Sequence, residues 1–317
     1  MVYSIGNDDE EGLRATAELA AARHPGLKAS LPFLPARDSS YFLPKLRWVA
    51  ERGKLLGLRE GSRLVAYSGS FGIPGFRNVG AAGYSPEWCH GRVDDLDAYR
   101  AYSALYREQL AHWHGLGARV PAVSVYASEP AAETALALLG FGRIVMDAAN
   151  PASVLPEPGG APDGLKIRRA HPGDGGRLCS LNAALAGHIR AEPVCMPLAR
   201  GMDAGSWERW LDGGDALAFL ALDGDGRAVG YIKAEGAQDD VSDAVRDPGT
   251  LAISGMYVLP QARGRGIGGR LLAELSGLAR NSGRPVVSVD CETTNPEAYS
   301  FWSRFFQPVS WSLERRT

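Results

Sequence analysis

Apolar positions along the chain fall into short alternating runs, which predict strands, and longer runs with apolar residues three and four apart, which predict helices. The C-terminal half reads most clearly. "LKIRRA" (165–170) predicts a strand, and "GDGGRLCSLNAALAGHI" (173–189) a helix opened by Asp174. "AGSWERWLDGG" predicts a second short helix, and "ALAFLALDGDGRAVGYIKAEG" a hairpin turning at "DGDG". "LAISGMYVL" predicts a strand. The helix after it is "IGGRLLAELSGLARNSG", with Ile267, Leu271, Leu272, Leu275 and Leu278 at helical spacing and Gly283 past its end. "PVVSVDCE" predicts a buried strand, "NPEAYSFWSRF" a helix capped by Asn295 with Pro296 first, and "PVSWSLERR" a final strand. The order β-α-α-β-β-β-α-β-α-β predicts an α/β protein: a mixed sheet with helices on its faces.

The N-terminal half follows the same plan less distinctly. "LRATAELAAARH" predicts a helix, "KLLGLREGSRLVAYSGSF" a hairpin and "LDAYRAYSALYREQLAHWHGLG" a long helix. "PAVSVYAS" then predicts a strand and "PAAETALALLGFG" a helix with Gly140 past its end. "RLVAY" at 63–67 matches "RAVGY" at 227–231, and "PAVSV" at 121–125 matches "PVVSV" at 285–289, each pair 164 residues apart. A shared offset over that distance points to duplication. The Pro- and Gly-rich "NPASVLPEPGGAPDG" (150–164) separates the halves. The expected organisation is one domain over 1–150, a linker over 151–164 and a second domain over 165–317.

Composition narrows the function classes. The chain has 317 residues, 45% hydrophobic and 22% charged, and a formal net charge of −2. No global basic field recruits nucleic acid. Four scattered cysteines without a C-x-x-C pair argue against a disulfide framework or a zinc site. The start, "MVYSIGNDDEEGLR", lacks a signal peptide, and no apolar run is long enough to span a membrane, so a cytoplasmic location is expected.

The segment "VLPQARGRGIGGRLL" (258–272) places four glycines and three arginines between an apolar strand and an apolar helix. Glycine costs roughly 1 kcal/mol against alanine inside a helix, so its use here needs a reason. First-turn N–H groups are unpaired and carry the positive end of the helix dipole, and glycines let a phosphate approach them. A glycine-rich turn with solvated arginines is the plainer alternative. A Walker loop would need Gly-Lys-Ser/Thr, and a dinucleotide loop would come early with an acidic residue some twenty positions on; neither fits.

The strand, Val258, Pro260, Arg263, Gly266 and Gly268 together resemble the acetyl-coenzyme-A loop of the GNAT superfamily of N-acetyltransferases. "NPEAYSFW" supplies the second signature in Asn295, Ala298 and Trp302. The resemblance covers about 165–317 and, with the repeat, implies two tandem GNAT folds. It implies acetyl-CoA as co-substrate, with no metal. The backbone of Met256, Tyr257 and Val258 would pair with pantetheine. Amides of Gly264, Arg265, Gly266, Ile267, Gly268 and Gly269 would hold the pyrophosphate, with Arg263 adding charge. Asn295 would contact the pantetheine arm, and Trp302 would pack on the cofactor.

Acetyl transfer needs a neutral amine, a stabilised oxyanion and a protonated thiolate. Asp290 lies on the buried strand where some family members carry a glutamate base, and Glu292 shares its strand face. Either could deprotonate an ammonium; a polar strand end is the alternative. The family's thiolate-protonating tyrosine would fall at Trp302, which has no accessible acid. Tyr299, three residues earlier, is a substitute, and water is another. In the connection after the first helix, His188, Glu192 and Cys195 are weaker candidates, His188 reading as a packing histidine. His112 and His114 do not share a helix face, which disfavours a metal site.

Applying the 164-residue offset puts "RAYSA" (100–104) opposite the glycine loop, Ala131 opposite Asn295 and Tyr126 opposite Asp290. The first half therefore reads as a GNAT scaffold that has lost the loop. The expected activity is acetyl transfer to a small-molecule amine by direct attack on the thioester. A peptide acceptor and a non-catalytic acyl-CoA-binding module are the alternatives.

Overall fold

The computed structural model describes residues 1–159, 164–197, 201–214, 216–237 and 241–315. The first half runs β1 (Val2–Ser4), α1 (Glu10–Ala22), α2 (His24–Ser30), α3 (Ser39–Arg52), β2 (Lys54–Glu60), β3 (Arg63–Phe76), β4 (Gly80–Ser85), β5 (His90–Arg92), α4 (Ala98–Gly115), β6 (Val120–Tyr126), α5 (Pro130–Leu138) and β7 (Gly142–Pro151). The second runs β8 (Lys166–Arg169), α6 (Gly175–Arg190), α7 (Ala204–Asp212), β9 (Leu217–Leu222), β10 (Ala228–Gly236), β11 (Thr250–Val258), α8 (Ile267–Asn281), β12 (Val286–Glu292), α9 (Pro296–Trp302) and β13 (Gln307–Glu314). The mixed α/β architecture matches the pattern of the sequence. Residues 160–163 of the linker and 198–200 of the connection after α6 lie outside the described residues.

Two compact units form. One comprises Met1–Met146 with Ser242–Ala244 and Pro308–Thr317, the other Asp147–Val241 with Val245–Gln307. The chain's last strand thus completes the sheet of the first unit: β13 pairs antiparallel with β6 from Ser310↔Tyr126 to Glu314↔Ala122. The order in that sheet is β1-β2-β3-β4-β6-β13, with β5 on β3. The second unit orders its strands β8-β9-β10-β11-β12, antiparallel except for the β11–β12 pair.

Local chemistry sets the helix starts. In the first unit Asp9 accepts from the Gly12 N–H, Asp38 from Ser40 and Tyr41, and Asp97 from Arg100. Asp174 occupies the N-cap of α6 but does not cap it with its side chain. Its fully buried carboxylate instead takes hydrogen bonds from Arg168 at 2.6 and 2.7 Å and from Arg177 at 2.8 Å. Burial opposes its ionisation, and these bonds with the His171 N–H outweigh burial, holding the carboxyl well below the usual range. The core of the second unit gathers Leu178, Leu181, Trp207, Leu220, Tyr231 and Tyr257 between α6, α7 and the sheet. On α8, Ile267, Leu271, Leu272 and Leu275 are buried as their spacing predicts.

Candidate active site

The site begins with two strands that part. The parallel ladder of β11 and β12 runs from Thr250↔Val286 to Ile253↔Val289. On the other edge of β11, Ala234 pairs with Ile253 and Lys233 with Gly255, so Ser254 is the extra residue of a β-bulge. A bulge bends its strand and sharpens the twist. Ser254–Val258 and Asp290–Glu292 consequently line a cavity of about 750 Å³ within the second unit, a normal size for a small-molecule site.

The glycine loop lines this cavity as well. Gly264 and Gly266 have φ of 77° and 74°, and a Cβ at either would meet no atom within 4 Å. The backbone conformation, not crowding, requires glycine at both positions. Gly266 is the N-cap of α8 and offers no side-chain cap. The N–H groups of Ile267, Gly268 and Gly269 open the helix, and the first helical bond is Arg270 N–H to Gly266 O at 3.2 Å. Arg263 Nε donates to Val258 O at 3.1 Å, and its guanidinium lies 5.5 Å from the Tyr257 ring centre.

Most of the residues singled out from sequence meet in this cavity. Met256, Tyr257, Val258, Arg263, Gly264, Gly266, Ile267, Gly268, Gly269, Asp290, Glu292, Asn295 and Trp302 all line it. Arg265 is exposed and outside the lining, as is the half-buried Tyr299. Asn295 is 5% exposed, and its Oδ1 accepts from the Ala298 N–H at 3.2 Å, so it caps α9 while facing the cavity. Glu192 and Cys195 are exposed and lie apart from the lining. His112 and His114 sit in the last turn of α4, in the first unit. Among the described residues no group of His, Cys, Asp and Glu is arranged to hold a metal ion.

Several lining residues were not singled out from sequence, and His188, a weaker candidate there, lines the cavity with them. Leu185, His188 and Ile189 reach the cavity from α6, with the His188 ring 6.1 Å from that of Tyr257. The aromatic run after Tyr299 contributes Phe301 and Phe305 as well as Trp302. Arg304 sits over both phenylalanine rings at 5.4 and 5.8 Å. Cys291 lies between the two candidate carboxylates. Burial first, then the charges of Asp290, Glu292 and Asp147, push its thiol up to about 12. A thiol so hard to ionise is a poor nucleophile at neutral pH, which disfavours an acyl-enzyme on Cys291.

The first unit has a comparable parting of strands, filled by its own side chains. β4 pairs with β6 from Ala82↔Val120 to Ser85↔Val123, and the chain then leaves to place β5 on β3. His90 spans from β5 to β6, its Nε2 2.6 Å from Ser124 O and its Nδ1 2.9 Å from the Tyr102 hydroxyl. A carbonyl only accepts, so Nε2 carries the proton and the neutral ring accepts from Tyr102 at Nδ1. Arg23 donates to His90 O and makes a two-pronged pair with the Glu129 carboxylate. The loop counterpart, Arg100–Ala104, is continuous helix, started by Asp97 rather than by glycine.

Residues 188–306 match the acetyltransferase (GNAT) family. No curated protein sequence matches the chain closely. Among solved structures, a GCN5-related N-acetyltransferase from Sphaerobacter thermophilus is similar over 100% of this chain and 95% of its own, at 16% identity and a TM-score of 0.62. A GCN5-related glucosamine N-acetyltransferase region of a fungal multi-domain GH3 beta-N-acetylglucosaminidase is similar over 99% of this chain and 38% of that one, at 15% identity and a TM-score of 0.56. A tandem GNAT protein from the clavulanic acid biosynthesis pathway aligns over 99% and 98% of the two chains, at 13% identity and a TM-score of 0.49. The family match thus lies in the second half of the chain, over the parted strands and the glycine loop, and the chain shares its fold with the GCN5-related N-acetyltransferase from Sphaerobacter thermophilus.

Proposed function

We propose that the second unit transfers acetyl from acetyl-CoA directly to the amine of a small molecule. The observation that carries this reading is one cavity lined both by an uncapped glycine helix start and by carboxylates on the parted strand. The fit to coenzyme A rests on the same features. First-turn N–H groups of α8 and the nearby Arg263 suit a pyrophosphate, and the β11 edge at Met256–Val258 suits the amides of pantetheine. Bound there, acetyl-CoA supplies an activated acetyl thioester.

The chain's own residues then have distinct tasks. The strands hold the reactants together, which is a large part of the acceleration available to such a reaction. A β11 N–H facing the cavity stabilises negative charge developing on the carbonyl oxygen. Asp290 and Glu292 attract and orient a cationic amine. Phe301, Trp302 and Phe305 exclude water along the α9 wall. Incubation with acetyl-CoA and a panel of metabolite amines, aminoglycosides, amino acids and peptides tests the reading through thiol release. Release with small amines is expected. Release with peptides alone favours a peptide acceptor, and no release with any acceptor overturns transfer.

A non-catalytic acyl-CoA-binding module is the second reading. Trp302, buried in the cavity wall with Tyr299 outside the lining, favours it because α9 then presents no phenol to a leaving thiolate. Tight acetyl-CoA binding without turnover would decide for it.

A further inference from the structure

The bulge residue Ser254 gives the cavity a polar group on β11, in addition to the carboxylates of β12. Its side chain is exposed and lines the cavity. Its Oγ–H is directed away from the site: it donates to Glu235 Oε1 at 3.0 Å. The second carboxylate oxygen, Oε2, receives the Trp210 Nε1–H at a long 3.4 Å. A hydroxyl that donates to a carboxylate keeps its lone pairs for a donor on its other side. The donor that acetyl transfer must bring to this cavity is an ammonium N–H.

The bulge makes the arrangement possible. Tyr231, Lys233 and Glu235 alternate along β10 and share the face covered by α6 and α7. Tyr231 donates to Asn182 Oδ1 on α6 at 2.9 Å, and the Lys233 ammonium lies 5.6 and 5.3 Å from the Trp207 and Trp210 rings on α7. Glu235 therefore belongs to a packed polar row behind the cavity wall. Ser254, as the extra residue of β11, reaches that row from the point where β11 leaves β12.

We infer that Ser254 and Glu235 form the relay that takes the proton from the acceptor's ammonium, an inference that rests on the acetyl-transfer reading. The ammonium N–H bond breaks as a bond forms from that proton to Ser254 Oγ. The Ser254 O–H breaks in the same movement, and its proton passes to Glu235 Oε1. The neutral amine then forms the C–N bond to the thioester carbonyl as the C–S bond breaks, and its second proton leaves with the thiolate as thiol. Glu235 returns its proton to solvent. Ser254 is the catalytic residue, and Glu235 acts through it. The titratable groups around this pair are Lys233, two residues before Glu235 on β10, and, lining the same cavity as Ser254, His188 on α6 and Asp290 and Glu292 on β12.

The test compares full pH profiles of kcat/KM for wild type, Ser254→Ala, Glu235→Gln and the double variant on an amine that wild type acetylates. Loss of a relay costs on the order of 10²-fold at pH 7. The loss should shrink as pH approaches the free amine's own pKa, so the acid limb moves upward. The double variant should be no worse than either single one, since the two act as one unit. Ser254→Thr should recover most of the rate. Acetyl-CoA affinity and the unfolding midpoint should match wild type in every variant. Asp290→Asn and Glu292→Gln should instead raise KM for the amine with the acid limb in place. Wild-type profiles for Ser254→Ala and Glu235→Gln, on an enzyme that does turn over, overturn the relay and leave the transfer reading standing. A wild-type protein that acetylates no amine overturns both.

Discussion

A methyl group on Gly268 would stand 3.1 Å from the Phe301 ring, so the first turn of α8 meets the end of α9 with room for little more than a hydrogen. Met256 Cε, at 3.7 Å, closes the third side. Gly268→Ala should therefore displace the Phe301 ring by a few tenths of an ångström along the cavity wall. Alanine gains roughly 1 kcal/mol of helix propensity over glycine, which offsets the contact, so the unfolding midpoint should stay near that of wild type. Acetyl-CoA affinity should fall about tenfold, equivalent to 1.4 kcal/mol. Adding Phe301→Leu should restore affinity; titration calorimetry of both variants reads this directly.

Gly266 fails under substitution for another reason. Its φ of 74° is left-handed, and space around it is open. A β-branched residue there carries a backbone penalty of about 1–2 kcal/mol, which the loop can relieve only by changing shape. Gly266→Val should remain folded and lose acetyl-CoA binding by at least about a hundredfold, or 2.7 kcal/mol. Unchanged affinity in titration calorimetry would remove the loop from the cofactor site.

These two glycines show which parts of the site sequence could reveal. Gly266 and Asn295 act through backbone conformation and helix caps, features that short motifs encode, and both lie where their motifs put them. Ser254 was invisible, because its role comes from a register shift against β10 that no local pattern records. His188 reads alone as a packing residue and becomes part of the site only because α6 crosses β11 beside Tyr257. In the fold, α8 and β12 were legible from apolar period. α3 was not: Pro44 lies inside it, and its helical start rests on Asp38. The Gly- and Ala-rich β4 carries no alternation at all. The exchange of the last strand into the first unit is a long-range pairing, β13 on β6, that local propensity does not determine.

Arg23 and Glu129 hold a charge pair inside the first unit, with side chains 7% and 23% exposed. Burial opposes the guanidinium charge, and Glu129 outweighs it. Removing one partner of such a pair leaves the other charge buried and uncompensated. Glu129→Gln should lower stability by about 3 kcal/mol in urea unfolding. Arg23→Met with Glu129→Leu should recover a large part of that loss, since both charges are then gone. If the double variant is as unstable as Glu129→Gln, Arg23 must matter through its bonds to His90 O and Glu87 O rather than through the pair.

His90 should make the first unit sensitive to mild acid. Burial, followed by the charge of Arg23, pulls its ring from 6.5 to about 4, so the folded form is neutral where an unfolded chain would be half protonated. A depressed folded pKa contributes stability that is complete above about 6.5 and is lost as pH falls toward 4, because the unfolded chain binds the extra proton. The full span corresponds to about 3 kcal/mol for a group this deeply buried. His24, 4% exposed and pulled to about 4 by burial, Arg37 and Arg23, adds in the same direction. Urea midpoints should be level from pH 8 to 7 and decline steadily between pH 6.5 and 5, before most carboxylates titrate. His90→Gln loses the titrating ring, so it should be less stable at pH 8 and decline more shallowly across that window. An equally steep decline in His90→Gln would assign the acid sensitivity to other groups.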